Sequence, residues 1–286
     1  MNCSICNEKA VFSNPSYCKL HFSEYVEHKV SNTIKKFKLI NKGEKICVAV
    51  SGGKDSVSLL FILKKSGYNI EALAIDEGIE GYRNVTLDFL KKFCTEQNIV
   101  LNIKSYESDF GKRLDKIVKK GELACNVCGT FRRHMLNKYA QEYTKIATGH
   151  NLDDEAQAVL MNLFKSQTEM LGRQGPKTAK KDFIIKIKPL YFLKEKEIMA
   201  YAFINKLNVP FIECPFASES FRGHIRDWLN KFELENPGTK ENIVNHYLSI
   251  APKIKEKHKL DLCPKCNFPS SKGICKTCRL KDELKK

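Results

Sequence analysis

Hydrophobic residues along the middle of the chain alternate between two arrangements. Short apolar runs typical of buried strands are each followed by a segment in which apolar residues recur near a 3.6-residue period. The predicted strands are 45–50, 69–75, 99–104, 145–148 and 184–190. The predicted helices are 23–39, 82–96, 109–119, 126–143, 151–164 and 194–207, together with a helix that follows the first strand and ends at residue 63. Strands alternating with helices predict the α/β class with a doubly wound parallel sheet, whose ligands bind at the carboxyl ends of the strands.

Two segments depart from this alternation. Residues 167–181 are polar and basic and contain glycine and proline, which predicts a mobile loop. From 218 to about 255 the apolar spacing is helical without an intervening strand. No run approaches about 18 consecutive apolar residues, and the N-terminus lacks the basic and apolar regions of a secretory signal. We therefore expect no membrane span and a cytoplasmic location.

The composition is strongly basic. Lysine and arginine outnumber the acidic residues by 49 to 33, and the resulting net charge of +16 is spread along the chain. A surface this basic attracts polyanions, of which nucleic acid is the commonest. A solvated, lysine-rich surface would have the same composition, so charge alone leaves both interpretations open.

A glycine-containing loop joins the first predicted strand to the helix after it. The loop, Ser51-Gly52-Gly53-Lys54-Asp55-Ser56, lets phosphate oxygens approach the backbone, and the helix N-terminus adds N–H donors and a positive dipole end. Lys54 supplies a cation, and Asp55 can help hold Mg²⁺ or cap the helix. The spacing differs from the phosphate loop of common kinases and GTPases. A simple glycine-rich turn with an N-cap is the alternative, but strand, loop and helix occur in the order that phosphate binding requires.

Acidic residues follow two further predicted strands. Residues 149–155 (GHNLDDE) come directly after the strand 145–148, and their paired carboxylates could hold Mg²⁺ or orient an acceptor. A helix N-terminus rich in aspartate is the alternative, because the helix dipole favours acidic residues there. Asp76 ends the second strand, where an adenosine contact would fall in this fold class, although strand-end turns also favour aspartate.

Three cysteines lie far from both chain ends. Cys125 and Cys128 form a C-x-x-C pair just before a predicted helix, and Cys214 follows the fifth strand. The helix end, with Arg132 and Arg133, is expected to lower the thiol pKa values. Three thiols suit an iron–sulfur cluster with one open iron, a persulfide relay, or a structural zinc site that still needs a fourth ligand. Spacing alone does not choose among these chemistries.

Each end of the chain carries two cysteine-containing pairs with the spacing of zinc ligands. The first set is Cys3, Cys6, Cys18 and His21, and the second is Cys263, Cys266, Cys275 and Cys278. Four soft ligands predict a closed, tetrahedral zinc site. Such a site could stabilise a segment that is too short to form its own core, or it could provide a surface that binds RNA. Basic residues around the second set favour phosphate contact. They are Lys265, Lys272, Lys276 and Arg279. Cys47 and Cys94 lie in apolar segments and are expected in the core.

The glycine loop resembles the PP-loop of the ATP pyrophosphatase superfamily, a HUP-like fold whose members cleave ATP between the α and β phosphates and adenylate an oxygen of the substrate. Residues 149–155 are similar to the GHN-x-DD-E stretch of members that modify transfer RNA. With the C-x-x-C pair, the lone downstream cysteine and a finger at each end, nearly the whole chain resembles the TtuA/NcsA-type tRNA 2-thiouridine synthetases (tRNA uridine 2-sulfurtransferases).

The resemblance implies ATP-dependent 2-thiolation of a tRNA uridine. The wobble uridine is the favoured target, and the T-loop uridine is the second candidate. The C2 oxygen would be adenylated and replaced by sulfur carried on a [4Fe-4S] cluster, which Cys125, Cys128 and Cys214 would hold with the fourth iron free. The implied catalytic residues are Lys54, Asp55, Arg132 and Asp154. The implied nucleotide contacts are Ala49, Val50, Ser51, Gly52, Gly53, Lys54, Asp55, Ser56, Asp76, Arg132, Gly149 and Asp154. Mg²⁺ and two Zn²⁺ ions complete the expected cofactors.

Partners, alternatives and domain limits follow from the same resemblance. The expected partners are tRNA and a sulfur donor, either sulfide or a ubiquitin-like thiocarboxylate carrier, and relatives pair as homodimers.

Two other tRNA-modifying enzymes of the superfamily are alternatives. A lysidine synthetase would leave the three cysteines without a role, and a cytidine 2-thiolase usually lacks the terminal fingers. A non-catalytic zinc protein that binds RNA would need neither the glycine loop nor the paired carboxylates. The expected domains are an N-terminal zinc finger (1–24), a catalytic domain (25–217), a helical segment (218–258) and a C-terminal zinc finger (259–286).

Overall fold

Ten strands and twelve helices are formed by the residues that the computed structural model describes, which are 1–118, 122–179, 183–216, 221–251, 261–270 and 273–283. The strands are β1 (Phe12–Ser13), β2 (Ser16–Tyr17), β3 (Ile46–Ala49), β4 (Ile70–Asp76), β5 (Leu101–Ser105), β6 (Lys145–Thr148), β7 (Lys177–Thr178), β8 (Ile185–Ile187), β9 (Asp261–Leu262) and β10 (Pro269–Ser270). The helices are α1 (Lys19–Lys36), α2 (Lys54–Lys65), α3 (Arg83–Glu96), α4 (Tyr106–Phe110), α5 (Leu114–Ile117), α6 (Glu122–Tyr139), α7 (Leu152–Phe164), α8 (Thr168–Leu171), α9 (Glu195–Ile204), α10 (Phe221–Glu235), α11 (Thr239–Ile250) and α12 (Lys276–Glu283).

The central sheet has the strand order β5-β4-β3-β6-β8-β7. Neighbouring strands are parallel from β5 to β8, which confirms the predicted α/β fold, and the edge strand β7 is antiparallel to β8. The segment predicted as a mobile loop, 167–181, contains two short elements that were not predicted, α8 and β7, and residues 180 and 181 lie outside the described part. The Lys188 amide donates to the Pro176 carbonyl, so this polar segment is held by backbone pairing that hydrophobic spacing does not reveal.

Helices cover both faces of the sheet, as the apolar residues on both faces of its strands require. One core packs α1, α2, α3 and α9 against one face, with Val26, Leu60 and Leu90 among its buried residues. The other core lies between the sheet and α6 and includes Phe131 and Met135. Cys47 and Cys94 are buried in these cores, as predicted. The two layers hold the carboxyl ends of the strands rigidly around one crevice.

Several helices begin or end a few residues from their predicted limits, and two of these differences affect elements near the thiols and the neighbouring core. The helix predicted over 109–119 is instead two short helices, α4 and α5, because Gly111 adopts a positive φ of 78° and ends α4; residue 119 lies outside the described part. The C-x-x-C pair was predicted just before a helix, but Cys125 and Cys128 lie within the first two turns of α6. Gly129 lies inside the same helix, which it weakens without breaking.

The remaining segments pack onto this frame. Helices α10 and α11 bury Leu229 and Val244 against Leu152 of α7, which confirms a helical segment; residues 217–220 and 252–260, at its predicted ends, lie outside the described residues. The C-terminal module of β9, β10 and α12 packs on α6, with the Phe268 and His134 ring centroids 4.4 Å apart. In the described residues, no helix combines the length and apolar character that a membrane crossing requires.

Candidate active site

The two predicted loops leave the sheet side by side. Strands β3 and β6 are neighbours, and their register pairs Ala49 with Thr148. After β3 the chain adds β4 and β5 on one side of the sheet, and after β6 it adds β7 and β8 on the other side. A topological switch point therefore lies between β3 and β6. In a sheet of this kind the crevice for ligands opens at that point. The loops 51–56 and 149–151 therefore face the same crevice.

This crevice is a cavity of about 270 Å³. Eight residues predicted as nucleotide contacts line it, namely Ala49, Val50, Ser51, Asp55, Ser56, Arg132, Gly149 and Asp154. Other lining residues were not predicted, among them Glu77, Arg83, His150 and Arg222. Asp76 lines a neighbouring cavity of about 330 Å³, where its carboxylate accepts a hydrogen bond from the Gly78 amide at 2.8 Å.

The 51–56 loop has the backbone geometry of an anion cradle. Gly52 has a φ of +85°, and a methyl group there would lie 2.8 Å from the Thr86 Cβ, so only glycine fits. The Ser56 hydroxyl accepts from the Ser51 amide at 3.1 Å and donates to the Gly53 carbonyl at 3.0 Å. No side chain of the described residues caps α2, so its first-turn N–H groups point into the loop without a capping partner.

The second loop is locked to the first by backbone contact and by one asparagine. A methyl group at Gly149 would lie 2.9 Å from the Asp55 carbonyl carbon and from the Ser56 amide nitrogen. The Asn151 side chain donates to Asp55 Oδ1 at 3.1 Å and accepts from the Asp154 amide at 3.0 Å. Asp154 in turn accepts from the Asn151 amide at 3.1 Å, which completes a capping box. Asn151 thus holds Asp55 and Asp154. The paired carboxylates predicted within 149–155 are separated, because Asp153 accepts from the Glu195 amide at 2.7 Å and pairs with Lys240 away from the crevice lining.

These carboxylates are in an environment that favours a cation. Burial raises the pKa of Asp154 to about 6, against the opposing effect of Arg222, whose Nη2 lies 2.6 Å from Asp154 Oδ1. Burial also raises the pKa of Asp55, while the neighbouring Lys54 lowers it. Two carboxylates with raised pKa values are stabilised when a divalent ion binds between them, and carboxylate oxygens are ligands that Mg²⁺ accepts. Asp55 and Asp154 could therefore hold Mg²⁺.

Lys54 is held at the mouth of the loop by two carboxylates. Its ammonium lies 2.7 Å from Glu195 Oε1 and 3.1 Å from Asp55 Oδ2. Burial would lower the pKa of Lys54, but the charges of Asp55 and Glu195 outweigh burial and raise it. Lys54 therefore stays a cation at neutral pH. Glu195 was not predicted, because it starts α9 and lies 141 residues away in sequence.

A buried carboxylate connects the loop to α6. Glu77 Oε2 lies 2.9 Å from Arg83 Nε, and Glu77 Oε1 lies 3.8 Å from Arg132 Nη1. Arg83 also donates to the Ser51 carbonyl at 2.5 Å, so it supports the strand end from which the loop begins. The one local signal for Glu77 in the sequence is its position directly after Asp76, which ends the predicted strand. Together these residues place the Arg132 guanidinium at the crevice.

The three isolated thiols lie beside the same helix. Cys128 and Cys214 both pack on the core around Phe131, and the Cys125 Sγ donates to the Phe216 carbonyl at 3.2 Å. Burial raises the pKa of Cys128 to about 11 and also raises that of Cys214, so the predicted lowering of the thiol pKa values was wrong for this pair. Burial outweighs the charge of Arg132, which acts in the opposite direction.

The spacing of these thiols differs from that of the terminal sets. Both terminal sets have all four ligand atoms within 4.8 Å of one another, and among the described residues no third group meets that limit. A single ion needs ligands that close, whereas an iron–sulfur cluster is larger and accepts thiols further apart. Cys125, Cys128 and Cys214 therefore do not have the spacing of a single closed zinc site.

The terminal sets have the dimensions of zinc sites. Tetrahedral geometry with Zn–S bonds of about 2.3 Å separates two thiolates by roughly 3.8 Å. The Cys6 and Cys18 sulfurs are 3.7 Å apart, and the Cys266 and Cys275 sulfurs are 3.6 Å apart. Burial alone would raise the pKa of Cys3, but hydrogen bonds from backbone amides and from His21 bring it to about 6, which favours the thiolate that a metal requires. Both sets could therefore hold a metal ion.

Comparison with known proteins places the chain in a family. The model of the PP-loop domain matches residues 23–231. The tRNA-5-methyluridine(54) 2-sulfurtransferase of Pyrococcus horikoshii is 40% identical over 298 residues, which cover 99% of this chain and 96% of that protein. The tRNA 2-thiolation protein NcsA of Haloferax volcanii is 33% identical over 318 residues, which cover 99% of both proteins.

A solved structure extends the likeness to three dimensions. The U34-tRNA thiolase NcsA from Methanococcus maripaludis with its [4Fe-4S] cluster superposes with a TM-score of 0.84 at 32% identity, over 99% of this chain and 96% of that chain. Sequence, fold and motifs agree over nearly the whole length. The chain therefore belongs to the PP-loop family, within its group of tRNA 2-sulfurtransferases and NcsA-type thiolases.

Proposed function

We propose that this chain is a cytoplasmic enzyme that uses ATP to replace the C2 oxygen of a tRNA uridine with sulfur. One observation carries the proposal: the crevice that joins the uncapped N-terminus of α2 to the carboxylates of Asp55 and Asp154 is also lined by Arg132 of α6, the helix that bears the C-x-x-C cysteines. Activation by ATP and transfer of sulfur need two such neighbouring sites. The wobble uridine is the first candidate target and the T-loop uridine the second, since relatives of both kinds match.

The first half-reaction is adenylation. The free N–H groups at the start of α2 and the Lys54 ammonium bind the phosphates of ATP, and Lys54 exchanges Glu195 for a phosphate oxygen. Asp55 and Asp154 would hold Mg²⁺, which supplies positive charge at the phosphates. The uridine C2 oxygen forms a bond to the α phosphorus, and the bond to the departing pyrophosphate breaks. A poor leaving group at C2 has then become a good one, AMP.

The second half-reaction replaces AMP with sulfur. Cys125, Cys128 and Cys214 would hold the [4Fe-4S] cluster, whose open iron supplies a carrier site for the sulfur that is transferred. Arg132 lies between the crevice and Cys128, where its charge stabilises the phosphate oxygens of AMP as the C2–O bond breaks. Glu77 orients Arg132 for this role from its buried position.

The remaining parts of the proposal concern metals, partners and domains. Zinc in both terminal sets would be closed and structural. The sulfur donor is sulfide or a ubiquitin-like thiocarboxylate carrier, and the enzyme is a homodimer. The catalytic domain spans residues 25–217, between zinc modules at 1–24 and 259–286, with the helical segment 218–258 before the second module.

An exchange assay tests the reaction class. Labelled pyrophosphate should enter ATP when the protein is supplied with Mg²⁺ and bulk tRNA, because adenylation is reversible before sulfur is added. Ribonuclease treatment of the tRNA should abolish the exchange. A non-catalytic RNA-binding protein would bind the same tRNA and catalyse no exchange, which would refute the proposal.

A further inference from the structure

The crevice is lined by one cation that has no role in the two half-reactions described above. Arg222, the second residue of α10, lines the crevice together with Asp154, although the two residues are 68 positions apart in sequence. Its Nη2 atom lies 2.6 Å from Asp154 Oδ1, and its Nε atom donates to Gln157 Oε1 at 3.1 Å. Gln157 is buried in α7. One edge of the guanidinium is therefore fixed to α7, and the other meets the carboxylate.

An arginine that only anchored α10 would not need to be exposed. The side chain of Arg83, which supports the strand end below the glycine loop, is 3% exposed, whereas that of Arg222 is 41% exposed. Helix α10 already has the buried side chains of Ile225 and Leu229 to anchor it. The guanidinium of Arg222 is therefore accessible to a ligand that enters the crevice.

The charged side chains that line the crevice balance one another. They are Asp55, Glu77, Asp154, Arg83, Arg132 and Arg222. Among them, the cation that balances Asp154 is Arg222. If Asp154 holds a divalent ion, the guanidinium has to leave Oδ1, because two cations that share one carboxylate oxygen repel each other. Arg222 would then face the phosphates that enter the crevice with that ion.

We propose that Arg222 is a further catalytic residue of the adenylation step, which leaves Asp154 when a divalent ion binds there and donates hydrogen bonds to the nonbridging oxygens of the α phosphate. This inference rests on the proposed function, which places ATP in the crevice. The α phosphate oxygens need charge stabilisation while the uridine C2 oxygen bonds to phosphorus and the bond to pyrophosphate breaks. The guanidinium supplies it with two parallel N–H donors and transfers no proton.

Arg222→Gln tests the assignment, with Arg222→Lys as the conservative variant. Arg226→Gln is the matched control, because it removes the same charge one turn further along α10, where Arg226 is exposed and pairs with Asp227. Binding of Mn²⁺, which accepts the same oxygen ligands as Mg²⁺, is measured without nucleotide by electron paramagnetic resonance. Pyrophosphate exchange is measured over a range of ATP concentrations with saturating tRNA. Thermal melts show whether each variant is folded.

Arg222→Gln should bind Mn²⁺ about two- to fivefold more tightly than the control, since a half-exposed ion pair no longer competes for Asp154. Its kcat for exchange should fall by about a hundredfold or more, with a smaller change in the KM for ATP, because the contact forms mainly in the transition state. Arg222→Lys should recover part of the kcat, since an ammonium supplies the charge but not the paired donors.

Unchanged or weaker Mn²⁺ binding by folded Arg222→Gln overturns the inference, because Arg222 would then not compete with an ion for Asp154. Exchange at the control rate, or a loss confined to the KM for ATP, overturns it as well. If the parent protein catalyses no exchange, the proposed function itself fails. The Mn²⁺ measurement then still decides whether Arg222 and a divalent ion compete for Asp154.

Discussion

At the scale of single residues, Asn151 organises the crevice. Its side chain fixes Asp55 from one loop and Asp154 from the other, and Gly149 lets the two backbones approach closely enough for these bonds to form. The two carboxylates are therefore positioned before any ligand binds. Preorganisation of this kind reduces the cost of assembling charge around a phosphate.

Lys54→Ala should abolish formation of AMP and pyrophosphate, with a loss of about a hundredfold or more, because Lys54 is the cation of the glycine loop. Binding of tRNA should stay nearly intact, since it depends on many separate charges. Pyrophosphate release and tRNA affinity measured on the same preparation check both statements. Release of pyrophosphate at the parent rate would show that the loop does not bind the phosphates of ATP.

Gly149→Ala should disrupt the junction of the two loops. Its methyl group would press on the Asp55 and Ser56 backbone at 2.9 Å, so we expect a loss of about 1–3 kcal/mol in unfolding free energy and a large loss of pyrophosphate release. Gly67→Ala is the control, because its φ of +76° is strained by about 1–2 kcal/mol while its methyl group meets no atom within 4 Å. Equal activities in the two variants would contradict a specific role for the junction.

Residues close to a motif could be predicted from the sequence, whereas residues brought from afar could not. Lys54 and Asp55 stand beside glycines that mark the loop, and Asp154 follows a strand in a similar way. Arg222, by contrast, pairs with Asp154 across 68 residues. Its position depends on how α10 packs against α7, and no local pattern carries that information.

At the scale of elements, α6 divides its side chains between two sites. Cys125, Cys128 and Arg132 are separated by three and four residues, so they share one face of the helix, and Arg133 lies on a different side. The sequence predicted this helix over 126–143, whereas it begins at Glu122 and contains both cysteines. The observed start places both thiols on a helix and leaves Cys128 half-buried against the core around Phe131.

Removal of any one of Cys125, Cys128 and Cys214 should remove the iron and end thiolation. The three thiols are further apart than the ligands of a single ion, and three ligands leave one iron of a cluster open. Anaerobic protein should be brown, with about four irons and four sulfides per chain as a [4Fe-4S] cluster contains, and each alanine variant should be colourless.

A persulfide relay predicts a different result for the same variants. It needs a carrier thiol and a resolving thiol but no iron, so one of the three cysteines would be dispensable. Cys94→Ala is the control, since this thiol is buried in the core away from the site. Activity in iron-free protein, or in one of the three alanine variants, would contradict the cluster.

Some elements could not be predicted because tertiary contacts define them. The spacing of apolar residues indicated β3, β4 and β6 within a residue or two, since these strands are buried. Strand β7 is short and polar, and it forms only because β8 offers an edge for pairing.

At the scale of the whole molecule, the two metal modules differ in their surroundings. The N-terminal module leads into α1, with the Phe12 and Phe22 rings 4.4 Å apart. The C-terminal module instead lies against α6, the helix that carries Cys125 and Cys128. The sequence predicted both ligand sets from their spacing, but only the fold shows which elements each module packs against.

Cys3→Ser should lower the zinc content from two ions per chain to one and reduce thermal stability, because Cys3 is a buried member of the first ligand set. Thiolation per folded molecule should stay near the parent value, since this module lies outside the crevice. Metal analysis and a thermal melt check the two effects. Full zinc occupancy in the folded variant would contradict the assignment of Cys3 as a ligand.

The central claim joins the nucleotide loop and the three thiols in one reaction on tRNA. The most direct test incubates anaerobically prepared protein with tRNA from a strain that lacks this gene, together with ATP, Mg²⁺ and sulfide, and then maps the modified nucleosides by mass spectrometry. We predict a uridine in which sulfur replaces the C2 oxygen, at one tRNA position and only when ATP is present. Pyrophosphate release without any thiolated uridine, or with lysine or sulfur added to a cytidine, would contradict the account.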